Sequence, residues 1–344
     1  LLSRESLLLA NNLLLLVAAG SVLLGTLYPL IIDALGLGKL SVGPPYFEAV
    51  FVPVMTPAIF LMGVGPIARW KQMSLPSLVV RLRWAFAISV TSALIMPYFM
   101  GEWKPLVSFG LLLAFWIIVC AIVNLKHRLG NSGEGNIFSR LARQSRSYYG
   151  MHCAHLGVAV FIIGVTLVNG YEAEKDVRMD VGSKVTVGGY TFQFNGTSNV
   201  EGPNYRAVRG DIAVIKDEQM VRSLYPEKRT YNASGMAMTE AAIDTGIFRD
   251  LYVALGEPLA NNAWVVRAYH KPFVDWIWFG CLLMAFGGVL SVTDRRYRLK
   301  INKTNPAQTE KTIEKADNVQ EGIPATVTGS SVSAAVLATE TRKA

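Results

Sequence analysis

Residues 150–165 read GMHCAHLGVAVFIIGV. His152 and His155 open a run that otherwise suits lipid, and they are the side chains best placed to do chemistry. Three apart on a helix, they occupy neighbouring parts of one face. An ionisable group inside a span is costly and faces a bundle interior or a cofactor. Tyr148 and Tyr149 mark the inner interface, which puts His155 about 9 Å deeper than Tyr149 at ~1.5 Å per residue. Spacing alone leaves two readings open: one histidine hydrogen-bonded to a neighbouring helix with the other at headgroup level, or ligation of a metal. Zinc is disfavoured, because no second pair of His, Cys or carboxylate ligands in the spans completes a tetrahedron. Haem suits better, since neutral imidazole is a good axial ligand and an apolar pocket accepts porphyrin. Ala154, Gly157 and Gly164 leave room for close helix packing or for a flat ring. The other two histidines read differently. His127, between Lys126 and Arg128, belongs to a solvated basic loop. His270, ahead of Trp276 and Trp278, reads as an interfacial polar residue, with ligation the lesser alternative.

The elements that must carry these residues follow from composition. The chain has 344 residues, 51% hydrophobic and 17% charged. That is too apolar for an ordinary soluble domain and too mixed for membrane alone. Its net charge of +8 belongs to cytoplasmic loops rather than to nucleic-acid binding. Cys120, Cys153 and Cys281 all lie in or beside apolar runs, so no disulfide framework is implied, and no CxxCH occurs. Spans of the required length, roughly 20 residues, are expected near 7–32, 46–66, 84–100, 106–124, 150–169 and 273–293. The third is short and contains Pro97.

Basic residues are uneven between these spans. Arg69, Lys71, Arg81 and Arg83 follow the second, Lys126, Arg128, Arg140, Arg143 and Arg146 the fourth, and Arg295, Arg296, Arg298 and Lys300 the sixth. The other short loops carry only Asp33 and Lys39, or Glu102 and Lys104. The positive-inside rule then places both ends of the chain in the cytoplasm and the segment 170–272 outside.

That outer segment has strand texture. KVTVGGYTFQF (184–194) is a hairpin at Gly188-Gly189. Residues 205–226 read as a second strand pair turning at Asp217-Glu218. MAMTEAAI (236–243), RDLYVAL (249–255) and AWVVRAY (263–269) add further strands. The expected fold is therefore a polytopic α-helical membrane protein of about six spans with a small extracytoplasmic all-β domain, a sandwich or barrel. Its divisions are residues 1–169 (five spans), 170–272 (β domain), 273–300 (sixth span and basic end) and 301–344 (a disordered cytoplasmic tail). Glu227, Lys228 and Arg229 read first as a salt-bridged turn and second as a contact site, and Arg249 and Asp250 likewise.

Several long stretches are familiar: SRESLLLANNLLLL (3–16), PYFEAVFVPVMTPAIFLMGVGP (45–66), AHLGVAVFIIGV (154–165), LYPEKRTY (224–231), TEAAIDTGIFRDLYVALGEPL (239–259) and KPFVDWIWFGCLLMAFGG (271–288). Together they resemble the C-terminal half of the cytochrome c maturation haem lyase subunit, the CcmF/NrfE family, across nearly all of residues 1–300. The resemblance implies a bacterial inner-membrane protein that takes haem from a haem chaperone and helps attach it to apocytochrome c at CxxCH thiols. It implies a b-type haem held between two membrane histidines, of which His155 is one by its place in the AHLG-type motif; His152 has no role in that pattern. It implies electron transfer from this b haem to the delivered substrate haem, with quinol as a source. Partners would be the haem chaperone, other cytochrome c maturation subunits, apocytochrome c and membrane lipid, with no nucleic acid.

The chain departs from the family pattern in three respects. The tryptophan-rich haem-handling segment, the two outer histidines that flank it and the second b-haem ligand have no counterpart here. With Leu1 in place of Met inside an apolar context, the chain is expected to be a piece of a longer protein, either cut short or a split C-terminal subunit. Two other classes compete with this reading. One is a non-enzymatic membrane scaffold or assembly factor displaying the β domain, which needs no cofactor. The other is a solute permease, which calls for broken helices and charged pairs at the bilayer midplane. Pro53, Pro57 and Pro97 lie in spans, but the spans hold almost no carboxylates.

Overall fold

The computed structural model describes residues 3–68, 74–130 and 136–294. The expected tail 301–344 and the basic residues Arg69, Lys71, Arg295, Arg296, Arg298 and Lys300 lie outside the described residues. Among the described residues, six helices are long and apolar enough to cross a membrane: α1 (Arg4–Ala34), α2 (Pro44–Val64, extended by one 3-10 turn to Ile67), α3 (Leu75–Phe99), α4 (Pro105–Gly130), α6 (Arg146–Tyr171) and α7 (Val274–Val292). A short helix, α5 (Ile137–Ala142), joins α4 to α6. This is a multi-pass inner-membrane architecture with an extracytoplasmic β domain inserted between α6 and α7.

The third span begins earlier than its hydropathy suggests. Proline in its first turn favours helix at Leu75, and Arg81 and Arg83 are absorbed into the helix rather than left in a loop. Long arginine stems reach the headgroups from such positions. Pro97 falls in the last turn, where it removes the bond to the Ala93 carbonyl and the helix ends two residues later.

Ten strands form two antiparallel sheets, ordered β1-β10-β9-β8 and β2-β3-β4-β6-β7, with β5 also paired to β4. Their ranges are β1 Ala173–Met179, β2 Lys184–Val187, β3 Tyr190–Glu201, β4 Tyr205–Lys216, β5 Gln219–Leu224, β6 Glu227–Tyr231, β7 Ala237–Glu240, β8 Ala242–Asp244, β9 Arg249–Pro258 and β10 Trp264–Pro272. Both expected hairpins form. Gly188 and Gly189 at the β2–β3 turn, and Asp217 and Glu218 at the β4–β5 turn, all have positive φ, the pairing that twisted two-residue hairpins require. The two sheets share one apolar core, with Phe192, Phe194, Ile212 and Val214 from one meeting Leu251, Val253, Leu255 and Val266 from the other.

MAMTEAAI is not one strand. It splits into β7, which pairs with β6, and β8, which crosses to the other sheet beside β9. Two strands, β1 and β6, are too charged (AEKDVRM, EKRTY) to show alternation; their pairing partners make them strands.

A glycine seam locks α6 to α7. Gly150, Gly157 and Gly164 recur every seven residues along α6 and face Ser291, Met284 and Ile277 of α7, while Gly280 and Gly287 of α7 face Phe161 and Ala154 of α6. A Cβ added at Gly157 would stand 2.8 Å from the Gly280 carbonyl oxygen, and one at Gly287 would stand 2.6 Å from that of Gly150. The obstacles are backbone atoms, which cannot move aside. Close backbone approach of this kind is how helices associate where lipid removes the hydrophobic drive. At the inner end the Asp294 carboxylate accepts a 2.9 Å hydrogen bond from the Ser147 N–H, placing negative charge at the α6 N-terminus. Gly157→Val should therefore lower stability by about 1–3 kcal/mol in a denaturant titration of the full chain in micelles. Gly20→Ala, where an added Cβ meets nothing within 4 Å, should leave it unchanged or slightly higher.

Candidate functional site

On α6, at about 100° per residue, the seam glycines fall near one direction and His152 and His155 near the opposite one. The histidines thus face α2 and α4. They line a cavity of about 10 Å³ with Met62, Gly63, Pro66, Ile117, Cys120 and Ala121, room for about one water molecule. Two contacts set that wall: Trp116 stacks on Phe60 at 4.9 Å and donates from Nε1 to the Phe60 carbonyl at 2.9 Å. A polar chain closes the inner end. Tyr148 donates to Asn124 Oδ1 (3.0 Å) and Asn124 Nδ2 donates to the Pro66 carbonyl (2.9 Å), so α2, α4 and α6 are tied together beside the histidines.

The two imidazoles differ in what their nitrogens meet. His155 Nδ1 lies 2.6 Å from the Met151 carbonyl. A carbonyl only accepts, so Nδ1 carries the proton and Nε2 presents its lone pair. That is the tautomer a metal-bound histidine adopts, with its second nitrogen fixed by a backbone carbonyl. The His152 ring packs edge-on against Tyr148 at 4.4 Å, and its Nε2 is buried without a hydrogen-bond partner. His155 Nε2 is not among such sealed-off atoms.

The donor chemistry of His155 fits an axial ligand. The enclosed space does not fit a porphyrin, so a ring could meet His155 only at the outer surface of these helices. Among the described residues no group of three or more His, Cys, Asp or Glu could hold a metal ion.

The remaining candidates are not brought to this site. His127 lies in the last turn of α4. His270, on β10, stacks on Tyr190 at 5.9 Å against the β2–β3 turn. Burial first, then the Arg249 and Lys216 charges, hold it below the usual histidine range; a cationic neighbourhood suits neither protonation nor a metal. Glu227, Lys228 and Arg229 are not an exposed turn but the strand β6. Glu227 is buried between Arg209 (2.6 Å) and Arg229 (2.7 Å), and Lys228 pairs with Glu257 at 2.7 Å. Arg249 pairs with Asp244, and buried Asp250 accepts from the Gly246 N–H at 3.1 Å. The salt-bridged reading holds for Glu227, Lys228, Arg229 and Arg249, while Asp250 is held by a backbone N–H instead. Sequence reasoning missed the Asn124–Tyr148 pair, whose only signal was an asparagine at the polar end of an apolar run.

The six spans and the β-sandwich define a polytopic membrane protein with an inserted extracytoplasmic domain. Residues 170–272 match a family model described as the CcmF C-terminal beta-sandwich. The cytochrome c-type biogenesis protein CcmF of Pseudomonas aeruginosa is 46% identical over 299 residues, 87% of this chain and 45% of that protein. CcmF of Escherichia coli is 46% identical over 307 residues, 88% of this chain and 46% of its own length. A solved structure named Cytochrome c Heme Lyase CcmF superposes with a TM-score of 0.68 at 22% identity, covering 85% of this chain and 46% of that one, which speaks to fold. The chain spans about half the length of the curated relatives it matches. It matches the CcmF/NrfE family over most of its own length, in the C-terminal region.

The ion pairs give the β domain a pH signature. Burial alone would raise the Glu227 and Asp244 carboxyls, but hydrogen bonds from Arg229 and Arg209, and from Arg222 and Arg249, bring both below their usual range. Depressed folded-state values stabilise above the unfolded value of about 4 and lose that stabilisation as pH falls through the folded value. Asp250, raised by burial, works in the opposite sense. Melting of the full chain monitored by β-sheet circular dichroism should weaken as pH drops below ~4. Glu227→Gln should be less stable at pH 7 and show a shallower acid slope.

Proposed function

We propose that this chain serves cytochrome c biogenesis as the C-terminal part of a haem lyase subunit, supplying membrane scaffold, an extracytoplasmic docking domain and one axial ligand, His155, to a b-type haem. The observation that carries the reading is the His155 tautomer, with Nδ1 donating to the Met151 carbonyl at 2.6 Å. The names of the relatives support it. On this reading residues 1–169 and 273–300 are the membrane part and 170–272 the periplasmic domain.

The chain's own residues do the following. The Met151 carbonyl holds the imidazole in one tautomer and orientation, so no proton must leave when Nε2 coordinates. The seam with α7 sets the rotation of α6 and hence the direction in which His155 points. The apolar walls from α2 and α4 keep bulk water from the imidazole. A bound b haem, which His155 would help to hold, would supply one-electron chemistry, with quinol as electron source and the delivered substrate haem as acceptor. The β domain offers the surface for apocytochrome c, a haem chaperone and other maturation subunits.

One observation favours the simpler scaffold reading: the cavity beside His155 has room for about one water and not for a ring. An absorption spectrum of the purified full-length protein separates the two. For the haem reading, the wild type shows a b-type spectrum, His155→Gly loses it and depresses holocytochrome yield, and His152→Ala retains it. A wild type without that spectrum, or a His155→Gly variant that keeps both spectrum and yield, refutes haem ligation.

A further inference from the structure

The turn between β8 and β9, Thr245-Gly246-Ile247-Phe248, presents two large apolar side chains where the β domain meets the membrane part. Ile247 is 69% and Phe248 61% exposed. Other apolar residues of the β domain, Met220 and Val221 among them, are exposed too; the 247–248 pair differs in standing at the membrane end of the domain, bonded to the first turn of α7.

The position of the turn along the membrane normal is fixed by hydrogen bonds. Trp276, in the first turn of α7, donates from Nε1 to the Ile247 carbonyl at 2.9 Å, and the Phe273 N–H donates to the Phe248 carbonyl at 3.0 Å. Phe248 also packs on Phe273 and Trp276, with ring centroids 5.8 and 6.4 Å apart. Helix α7 has 19 residues, a length of about 28 Å against a hydrocarbon core of about 30 Å. It has no spare turn. Its first turn must therefore lie at the outer edge of the hydrocarbon, and the 245–248 turn is bonded to that level.

The turn is also rigid before anything touches it. Arg249 donates to both the carbonyl and the carboxylate of Asp244, closing the two ends of the turn, and Arg222 donates to the same carboxylate at 2.6 Å. Asp250 holds the Gly246 N–H from beneath. The arginines are thus engaged with Asp244 rather than offered outward, so the chemistry on display is apolar and not an anion site.

We propose that Ile247 and Phe248 are a membrane-inserting foot of the β domain, seated among the carbonyl groups and first methylenes of the outer-leaflet phospholipids. The foot adds a lipid contact to a sandwich whose height its bonds to α7 already set. This inference rests on the topology and is independent of haem ligation.

The test uses the full chain in phosphatidylcholine nanodiscs, with Cys120, Cys153 and Cys281 replaced by alanine. Ile247→Cys is labelled with an environment-sensitive nitrobenzoxadiazole dye, with Asn199→Cys, at the far end of β3, as the aqueous control. The expected result is blue-shifted emission at 247, at least halved by lipids carrying a nitroxide near the headgroup, and no such change at 199. Water-like emission at 247 overturns the proposal. So does blue-shifted emission that nitroxide lipids leave unquenched, which would mean that protein covers the turn. Should Ile247→Cys fail to assemble, Phe248→Cys reads the same outcomes.

Discussion

The approach of α6 to α7 is the constraint on which the rest depends. Backbone meets backbone there, because glycine on one helix faces backbone on the other at four or more points. In lipid such contact draws on dispersion and on nothing that a polar surface could replace. It removes freedom in two directions at once. Rotation of α6 is fixed, which turns His152 and His155 away from α7 and toward α2 and α4. Sliding is fixed as well, because a seven-residue repeat tolerates no small shift.

The same seam runs on into the β domain. Helix α6 ends at Tyr171 and β1 starts at Ala173; β10 ends at Pro272 and α7 starts at Val274. These strands pair with each other from Ala173↔His270 to Met179↔Trp264. Two helices in close contact thus become two strands in direct register, with the Glu172–Lys271 ion pair (3.4 Å) at the crossing. Phe273 makes the turn between strand and helix in a left-handed conformation, which costs a non-glycine residue about 1–2 kcal/mol. Its N–H bond to Phe248 and its packing on Trp276 offset that cost. The sandwich is a rigid extension of the α6–α7 pair rather than a domain on a tether.

How much of this was legible in the sequence depends on where the signal lies. Spans declare themselves by apolar run length, so all six were readable; only α3 was misjudged at its start, because Arg81 and Arg83 look like a loop in one dimension. Hairpins with Gly188-Gly189 or Asp217-Glu218 declare themselves by turn chemistry. Strands β1 and β6 do not, because their outward residues are charged and only a partner strand makes them strands. Glu227 and Arg229 looked exposed since sequence cannot show Arg209 arriving from β4. The histidine pair was visible as a pair; spacing did not separate the two, and only the family resemblance singled out His155. The Met151 carbonyl that sets the His155 tautomer is a backbone group, carried by every residue type alike.

That difference bears on what the helix can do. Two imidazoles on one face could share a role, yet only one has a nitrogen both proton-fixed on one side and unsealed on the other. His152 is held edge-on to Tyr148, which also meets the Arg128 guanidinium 4.5 Å from its ring centroid and bonds to Asn124, tying α4 to α6. His155 has no such obligation beyond its own helix. The glycines behind it leave α6 no freedom to rotate, so a large partner must come to the imidazole at the outer surface of the helices. Division of labour along one helix then follows from geometry: one face binds a neighbour by lacking side chains, and the other keeps a single nitrogen available.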